Sequence, residues 1–481
     1  MGSHLRTVAR GRRALSVAVV VAMLVVSFAP AAVAMPRGDR TTSAPTVSAE
    51  TVASTTTSEF TSLYQVAQQI GLVGSAAETQ VPTGDGVQIA LIDTGVVDVP
   101  GLRTSNVMIG PDFSFEDQAK ALRGRDGNGH GTHLAGIMVG TDAAWKVGDT
   151  TRTPDRNLGI APDAELVSIK VAAANGAVDV TQVIAAINWV IEHKDDQGMN
   201  IRVLALAYGT DSSQPYLVSP LAYAVERAWH AGIVVVVAAG NEGRSDWMLK
   251  NPATDPYVIA VGSVEQTADG YESSSFSSDG NPARTVDVVA PGRSIASLRV
   301  PGSYSDAFNE AGRVGDDLVR GSGTSQATAV VAGAAALLLE DNPKLTPDQV
   351  KRILIGSSVP FSDHPSGIGL IDVAGALDAR VPRRTEQIWW RATGTGSIDW
   401  DRGTNRVALD GVSIDGEIDI FGNSWSQSQW SVDAWTGNSW SGNSWSGDSW
   451  SANVWSGNSW SGLSWSGLSW SGNSWSDHTW D

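Results

Sequence analysis

No cysteine occurs among the 481 residues, so disulfides, thiolate metal sites and cysteine nucleophiles are excluded by arithmetic. Whatever chemistry the chain performs uses oxygen and nitrogen. Positive charge is scarce as well: 33 Lys and Arg face 51 Asp and Glu, a formal charge of −18, which argues against a nucleic-acid-binding surface and against attraction to anionic lipid. Long apolar runs are nearly missing. The run Ala14–Phe28 is shorter than the roughly 20 residues a spanning helix needs; it follows Arg6, Arg10, Arg12 and Arg13 and precedes Ala32-Val33-Ala34. That three-part pattern predicts a secretory signal over 1–34, cleaved after Ala34, with no stable membrane insertion afterwards and an extracellular or cell-wall location. An uncleaved anchor is the alternative, and Arg12-Arg13 leaves twin-arginine export open beside the general route.

Residues 35–62 are Ser, Thr and Ala with almost no large apolar side chains, a composition that reads as a linker or a short pro-segment. From Leu63 the pattern changes to apolar blocks separated by Gly-rich breaks. VQIALID (Val87–Asp93), LVSIKV (Leu166–Val171), IRVLALA (Ile201–Ala207) and IVVVVAAG (Ile233–Gly240) are short, β-branched and apolar without alternation, as strands buried on both faces are. Helical segments lie between them near His130–Val139, Asp179–His193 and Ser219–His230. The expected fold over 63–380 is therefore α/β, a doubly wound, mainly parallel sheet with helices on both faces. Its functional cleft belongs at the carboxyl ends of the strands.

Four motifs fall at that edge. In IALIDTGV, Asp93 closes a buried strand, where a carboxylate either caps a turn or holds a partner. In DGNGHGTHLAGIM, His130 opens a helix and His133 follows one turn later; a metal pair is the weaker reading, because no matching acidic or His ligands stand nearby. In VVVVAAGNEG, Asn241 follows a strand and either forms a turn or aims its amide into the cleft. Finally Gly321–Glu340, GSGTSQATAVVAGAAALLLE, reads as an enclosed helix ending at Asn342-Pro343 with Ser325 at its start, either its cap or a nucleophile.

A serine hydroxyl needs a base within hydrogen-bond reach, and the base needs an orienting carboxylate; Ser325, His130 and Asp93 supply the three. The oxyanion formed on attack needs donors, for which the Asn241 amide and the Ser325 backbone N–H are the candidates. The order Asp, His, Ser within IALIDTGV, GHGTHLAG, AAGNEG and GTSQATAVVAG resembles the subtilisin-like serine proteases over roughly Leu63–Arg380. That resemblance implies a secreted endopeptidase acting on protein or peptide substrates, with Asp93 orienting, His130 as base then acid, Ser325 as nucleophile and Asn241 lining the oxyanion hole. It further implies that Leu206, Ala207, Tyr208 and Gly209 on one side, and Ala238, Ala239 and Gly240 on the other, hold an extended substrate by strand addition. His133 is structural by the same likeness, and NLGIAPDAEL and VDVVAPGRSI match framework segments.

The departures are specific. Gln326 follows the nucleophile where the family usually has Met, which removes an oxidisable sulfur, and Ala329 stands in place of a usual Pro, which is expected to loosen the turn into the Ser325 helix. The loop Arg244–Pro252 is expected to border the first specificity pocket, with Lys250 solvated near its base; a sharper alternative is that Lys250 favours acidic or small residues at the cleaved position. No cofactor is implied for the chemistry. Structural calcium is left open and unassigned, since Leu102 occupies about the place of the family's usual acidic ligand. The roughly 28 residues after the signal are too few for a folded propeptide.

From Trp425 the chain repeats every five residues, with Trp at 425 and at each fifth position to 480, twelve of the 19 tryptophans. A period of five keeps one face on neither a helix nor a strand. The repeat over 425–481 is expected to be disordered in isolation, with a tight solenoid as the alternative. Spaced indoles predict stacking on cell-wall or other extracellular polysaccharide, or self-association. Residues 381–424 are expected to connect the two parts through a few strands. The rival to an enzyme is a catalytically silent, protease-like scaffold that serves this tail.

Overall fold

The computed structural model describes residues 60–73, 81–117, 119–244, 248–361, 368–409, 412–420, 422–426, 469–471 and 477–479. The expected signal and most of the segment before Leu63, and most of the Trp repeat, lie outside the described residues.

Helix α1 (Leu63–Gln69) starts at Ser62, whose Oγ accepts from the Gln65 N–H while the Gln65 side chain accepts from the Ser62 N–H, a reciprocal capping box. The apolar blocks then become strands β1 (Gln88–Asp93), β2 (Val107–Asp112), β3 (Glu165–Lys170), β4 (Ile201–Leu206), β5 (Val234–Ala238) and β6 (Ile259–Thr267). They lie in the order β2-β3-β1-β4-β5-β6, all parallel, and the sheet continues through Val288–Pro291 and Gly369–Leu370. Among the described residues, its antiparallel pairs are those of Gly270–Ser273 with β6 and of Val359–Pro360 with Gly369–Leu370. Every residue of β1 and β5 is buried, because helices cover both faces; this is why those strands show no alternation in sequence.

Helices α2 (His130–Val139), α3 (Val180–His193) and α4 (Pro220–His230) join the strands. α2 packs along the helix Thr324–Asp341, which lies across β4, β5 and β6, while α3 packs on α4. Residues Thr324 through Leu339 of that long helix are all buried, as its apolar run requires. Its start is set by a change of backbone: Leu318–Gly323 is a strand, and Gly323, two residues before Ser325, is the N-cap. Ser325 is thus the second helical residue and not the cap. The helix runs unbroken through Ala329, and Thr328 Oγ1 donates to the Thr324 carbonyl at 2.8 Å, so losing the family's proline there leaves a regular helix.

Sheet register places the site. Ile92 pairs with Leu206, and Leu206 with Val237, so Asp93, Ala207 and Ala238 emerge side by side at the carboxyl ends of β1, β4 and β5.

Residues 381–426 carry a short helix, Ile398–Arg402, and the paired strands Arg406–Leu409 and Val412–Ser413. They are fastened to the sheet domain by buried polar groups. Arg402 and Asp179 are both fully buried and paired at 2.6 Å, and Asp179 is itself the N-cap of α3. Two strands from the Trp repeat complete the described residues: Ser469–Ser471 pairs antiparallel with Arg406–Ala408, and Asp477–Thr479 with Ser322 and Gly323.

Candidate active site

Asp93 and His130 are each 1% exposed, and Asp93 Oδ1 lies 2.7 Å from His130 Nδ1. The same oxygen accepts from the Thr94 N–H at 2.7 Å. Burial pushes the Asp93 carboxyl above its ordinary value, while His130 and the Thr94 amide pull it back down. Donating from Nδ1 to that carboxylate keeps the imidazole's proton on that nitrogen, which leaves Nε2 as the basic one. Gly131 follows because nothing larger fits: a Cβ there would stand 2.1 Å from the Gly95 carbonyl oxygen and 3.1 Å from Asp93 Oδ1.

The turn into α2 is organised by a residue the sequence reading passed over. Asp126 accepts from the Asn128 and Gly129 amides through Oδ1, and from the Thr132 amide and hydroxyl through Oδ2 at 2.8 and 2.7 Å. A carboxylate saturated at a helix start also suits the helix dipole. Thr94 links this group to the pair, its Oγ1 lying 2.8 Å from Asp126 Oδ1 and accepting from the Gly131 amide at 2.9 Å. Beneath them the buried Lys170 ammonium donates to the Thr94 and Ala172 carbonyls and pairs with Glu116 at 3.1 Å. Asp126 sits in a Gly-rich string that reads as loop, and Lys170 in a strand that reads as apolar; only the spacing of Asp126 to Thr132 carried a signal.

Ser325 is buried in the first turn of its helix, whose backbone N–H groups the helix itself does not consume. The α2 and Ser325 helices meet near their starts. A Cβ on Gly321 would lie 3.0 Å from His133 Nε2 and 2.7 Å from Gln326 Nε2, so the ring one turn after His130 is wedged beside the residue after Ser325. His133 is packed there, and its carbonyl accepts from Ser297 Oγ at 2.8 Å. Among the described residues no group of three or more His, Asp and Glu could hold a metal ion.

Asn241 is turned by Thr324. Its Oδ1 accepts from the Thr324 N–H at 3.0 Å and from Thr324 Oγ1 at 3.1 Å, which assigns the other end of the amide as Nδ2. That Nδ2 is buried without a hydrogen-bond partner among the described residues, a costly arrangement unless a ligand supplies an acceptor. Thr324 was not singled out in sequence, although it adjoins Ser325.

The residues of the two expected substrate edges run on from the carboxyl ends of β4 and β5. The side chains of Leu206, Ala207, Tyr208, Ala238 and Ala239 are buried, so these residues can offer a substrate only their main chain. Residues 250–251 tie the edges together: the Lys250 N–H donates to the Ala239 carbonyl at 2.9 Å, and Asn251 exchanges two 2.9 Å bonds with Thr210. Lys250, expected in solvent, is instead folded inward, its side chain 14% exposed and its ammonium 3.0 Å from Glu242.

With this arrangement in view, the profile of the subtilase family matches residues 84–396. The chain belongs to the subtilase family. It is similar to the serine protease AprX of Bacillus subtilis, 36% identical over 62% of this chain and 66% of that protein. It is also 32% identical to subtilisin Savinase of Lederbergia lenta, over 63% of this chain and 94% of the relative. A solved protease of Pseudoalteromonas arctica shares the fold, with a TM-score of 0.51 and 24% identity over 64% of this chain and 94% of that one. Family membership makes the chain a serine endopeptidase with a subtilisin-like fold, and the extension beyond residue 396 lies outside the matched residues.

Proposed function

We propose that this subtilase is a secreted endopeptidase that works through Asp93, His130 and Ser325, with the Asn241 amide and the Ser325 N–H as oxyanion donors. The observation that carries the reading is the buried Asp93 to His130 contact of 2.7 Å, at the carboxyl end of a strand that pairs with the one ending at Leu206. Ser325 Oγ attacks the scissile carbonyl carbon as its proton passes to His130 Nε2. Asp93 stays ionised and stabilises the imidazolium. The new oxyanion is held by Asn241 Nδ2, whose orientation Thr324 has already fixed, so no reorganisation is needed when charge develops. Collapse expels the amine, which takes the proton back from His130 and leaves an acyl group on Ser325. Water then repeats the sequence and frees the acid.

The substrate is an extended peptide, paired by its main chain between 206–209 and 238–240. The basic, apolar and small-residue pattern of 1–34 supports export. The Trp repeat is the candidate wall-binding element; retention on insoluble peptidoglycan should fall when residues 425–481 are removed, and equal retention would refute that role.

Purified protein should release new amino termini from denatured casein, and Ser325→Ala should not. Equal release by both proteins would defeat the assignment of Ser325.

A further inference from the structure

One edge of the strand Leu318–Gly323, which leads into the Ser325 helix, is closed along its length. Ile295–Leu298 pairs with residues 318–321; beyond them the Ser294 N–H donates to Ser322 Oγ and the Gly323 N–H to the Gly292 carbonyl, both at 2.8 Å. The opposite edge is covered only in part, since Arg313–Val314 pairs with Leu318 and Val319. Ser322 and Gly323 therefore present a main-chain edge two residues from Ser325, and an open edge is a template for any extended chain. Its occupant belongs to the Trp repeat. Asp477–Thr479 pairs there antiparallel, with Thr479 opposite Ser322, Asp477 opposite Gly323 and a shift of register between them.

The repeat is anchored close by. Ser469–Ser471 pairs with Arg406–Ala408, and the two residues before Arg406 are bound beside a substrate edge: Asn405 Nδ2 donates to the Gly209 carbonyl at 3.3 Å, and the Thr404 N–H to Asp211 Oδ1 at 2.6 Å. Ser471 and Asp477 are six residues apart in the chain, a reach of at most ~20 Å. A tether that short holds its end at an effective concentration on the order of mM, so a strand that pairs weakly still competes.

What it competes with follows from the layout of the cleft. The edges at 206–209 and 238–240 flank one arm of an extended substrate and bring its carbonyl to Asn241, the residue after Gly240. The other arm, which leaves with the amine, passes the strand that enters Ser325. Paired strands lie about 4.8 Å apart, so two chains cannot share Ser322 and Gly323.

We propose that Asp477–Thr479 is a cis-acting blocker: it occupies the main-chain edge of Ser322 and Gly323 that the leaving arm of a substrate needs, so the repeat competes with long peptides and spares those with nothing beyond the cleaved bond. This rests on the proposed assignment of Ser325. The pairing is made by backbone, so it persists through side-chain changes in the repeat and is broken by removing N–H groups.

The test uses the full-length chain and two substrates that share every residue before the cleaved bond. One carries several residues after it; the other ends there in a p-nitroanilide. Asp477→Pro, His478→Pro and Thr479→Pro together remove every N–H of the strand, whichever side each faces. The ratio of kcat/KM, long over short, should then rise by about 10-fold over wild type, the scale a mM tether gives a weakly pairing strand. Ser441→Pro, Gly442→Pro and Asn443→Pro, in the same repeat but outside the described residues, should leave the ratio unchanged. Because each ratio is taken within one preparation, the fraction of folded enzyme cancels. An unchanged ratio in the first variant, or an equal rise in the second, overturns the proposal. Failure of the underlying assignment looks different: both substrates would still be cut by Ser325→Ala.

Discussion

Two fully buried carboxylates, one in the cleft and one in the extension, are treated in opposite ways. Asp93 concentrates its contacts on one oxygen, with His130 and Thr94 on Oδ1 and no partner among the described residues for Oδ2. Asp401, in the helix Ile398–Arg402, is saturated: Oδ1 accepts from Ser212, Gln214 and Asn251, and Oδ2 accepts from Ser219 Oγ and the Leu221 N–H, each of the last two at 2.8 Å. The cleft keeps polar atoms in reserve, Asn241 Nδ2 included, where the proposed reaction would move charge. In the extension Asp401 keeps neither oxygen in reserve, and its carboxylate fastens four segments together. Between these two carboxylates, the open oxygen belongs to the one proposed to take part in chemistry and the saturated pair to the one that fastens the extension.

If that contrast is right, substitutions in the two regions should fail differently. Ser325→Ala and His130→Ala should each lower kcat by about 10⁴-fold or more with unfolding midpoints unchanged, a magnitude already known from subtilisin itself. Asn241→Ala should lower kcat by about 10²–10³ with little change in KM, again a size known from this family's oxyanion donor. In the extension the order reverses. Asp401→Ala should cost ~3 kcal/mol in chemical denaturation by orphaning buried donors, while turnover per folded molecule changes far less. Equal effects of Asp401→Ala and Asn241→Ala on kcat would erase the distinction.

pH sharpens the same comparison. Burial pushes Asp401 up from 3.8 to about 6, against the pull of its donors. The folded chain then holds that proton more tightly than the unfolded chain does, so the contribution is whole below the unfolded value and is lost as pH rises through about 6. Wild-type stability should therefore fall between pH 4 and 6 relative to Asp401→Asn, by up to ~3 kcal/mol at ~1.4 kcal/mol per unit. Parallel pH curves for the two proteins would exclude this role for Asp401. The smallest effect concerns Gln326: without a methionine after the nucleophile, most activity should survive mild peroxide, and its loss would show that another side chain gates the site.

Legibility in sequence follows how local each cause is. The strands were visible because burial on both faces forces unbroken β-branched runs, and β1, β3, β4 and β5 fall within one or two residues of the expected bounds. Asp93, His130, Asn241 and Ser325 stood out as candidates because each sits in its own short motif at an element's end. Asp401 was not, since the donor on Ser212 lies 189 residues away and the family profile ends at 396. Lys250 reads as a surface lysine by ordinary expectation; only the fold brings Gly209, Gly240 and Glu242 around it. The N-cap of the Ser325 helix was misplaced by two residues because Gly323 adopts an extended backbone that closes a strand, which composition alone does not distinguish from a helix start.

The central claim, that Ser325 is an activated nucleophile and not a packed hydroxyl, is tested most directly by a fluorophosphonate probe with the labelled peptide mapped by mass spectrometry. A single adduct on Ser325 in the wild type, and none in Ser325→Ala or His130→Ala, is the predicted result. Labelling that is absent from folded wild-type enzyme, or that persists in Ser325→Ala, would contradict it.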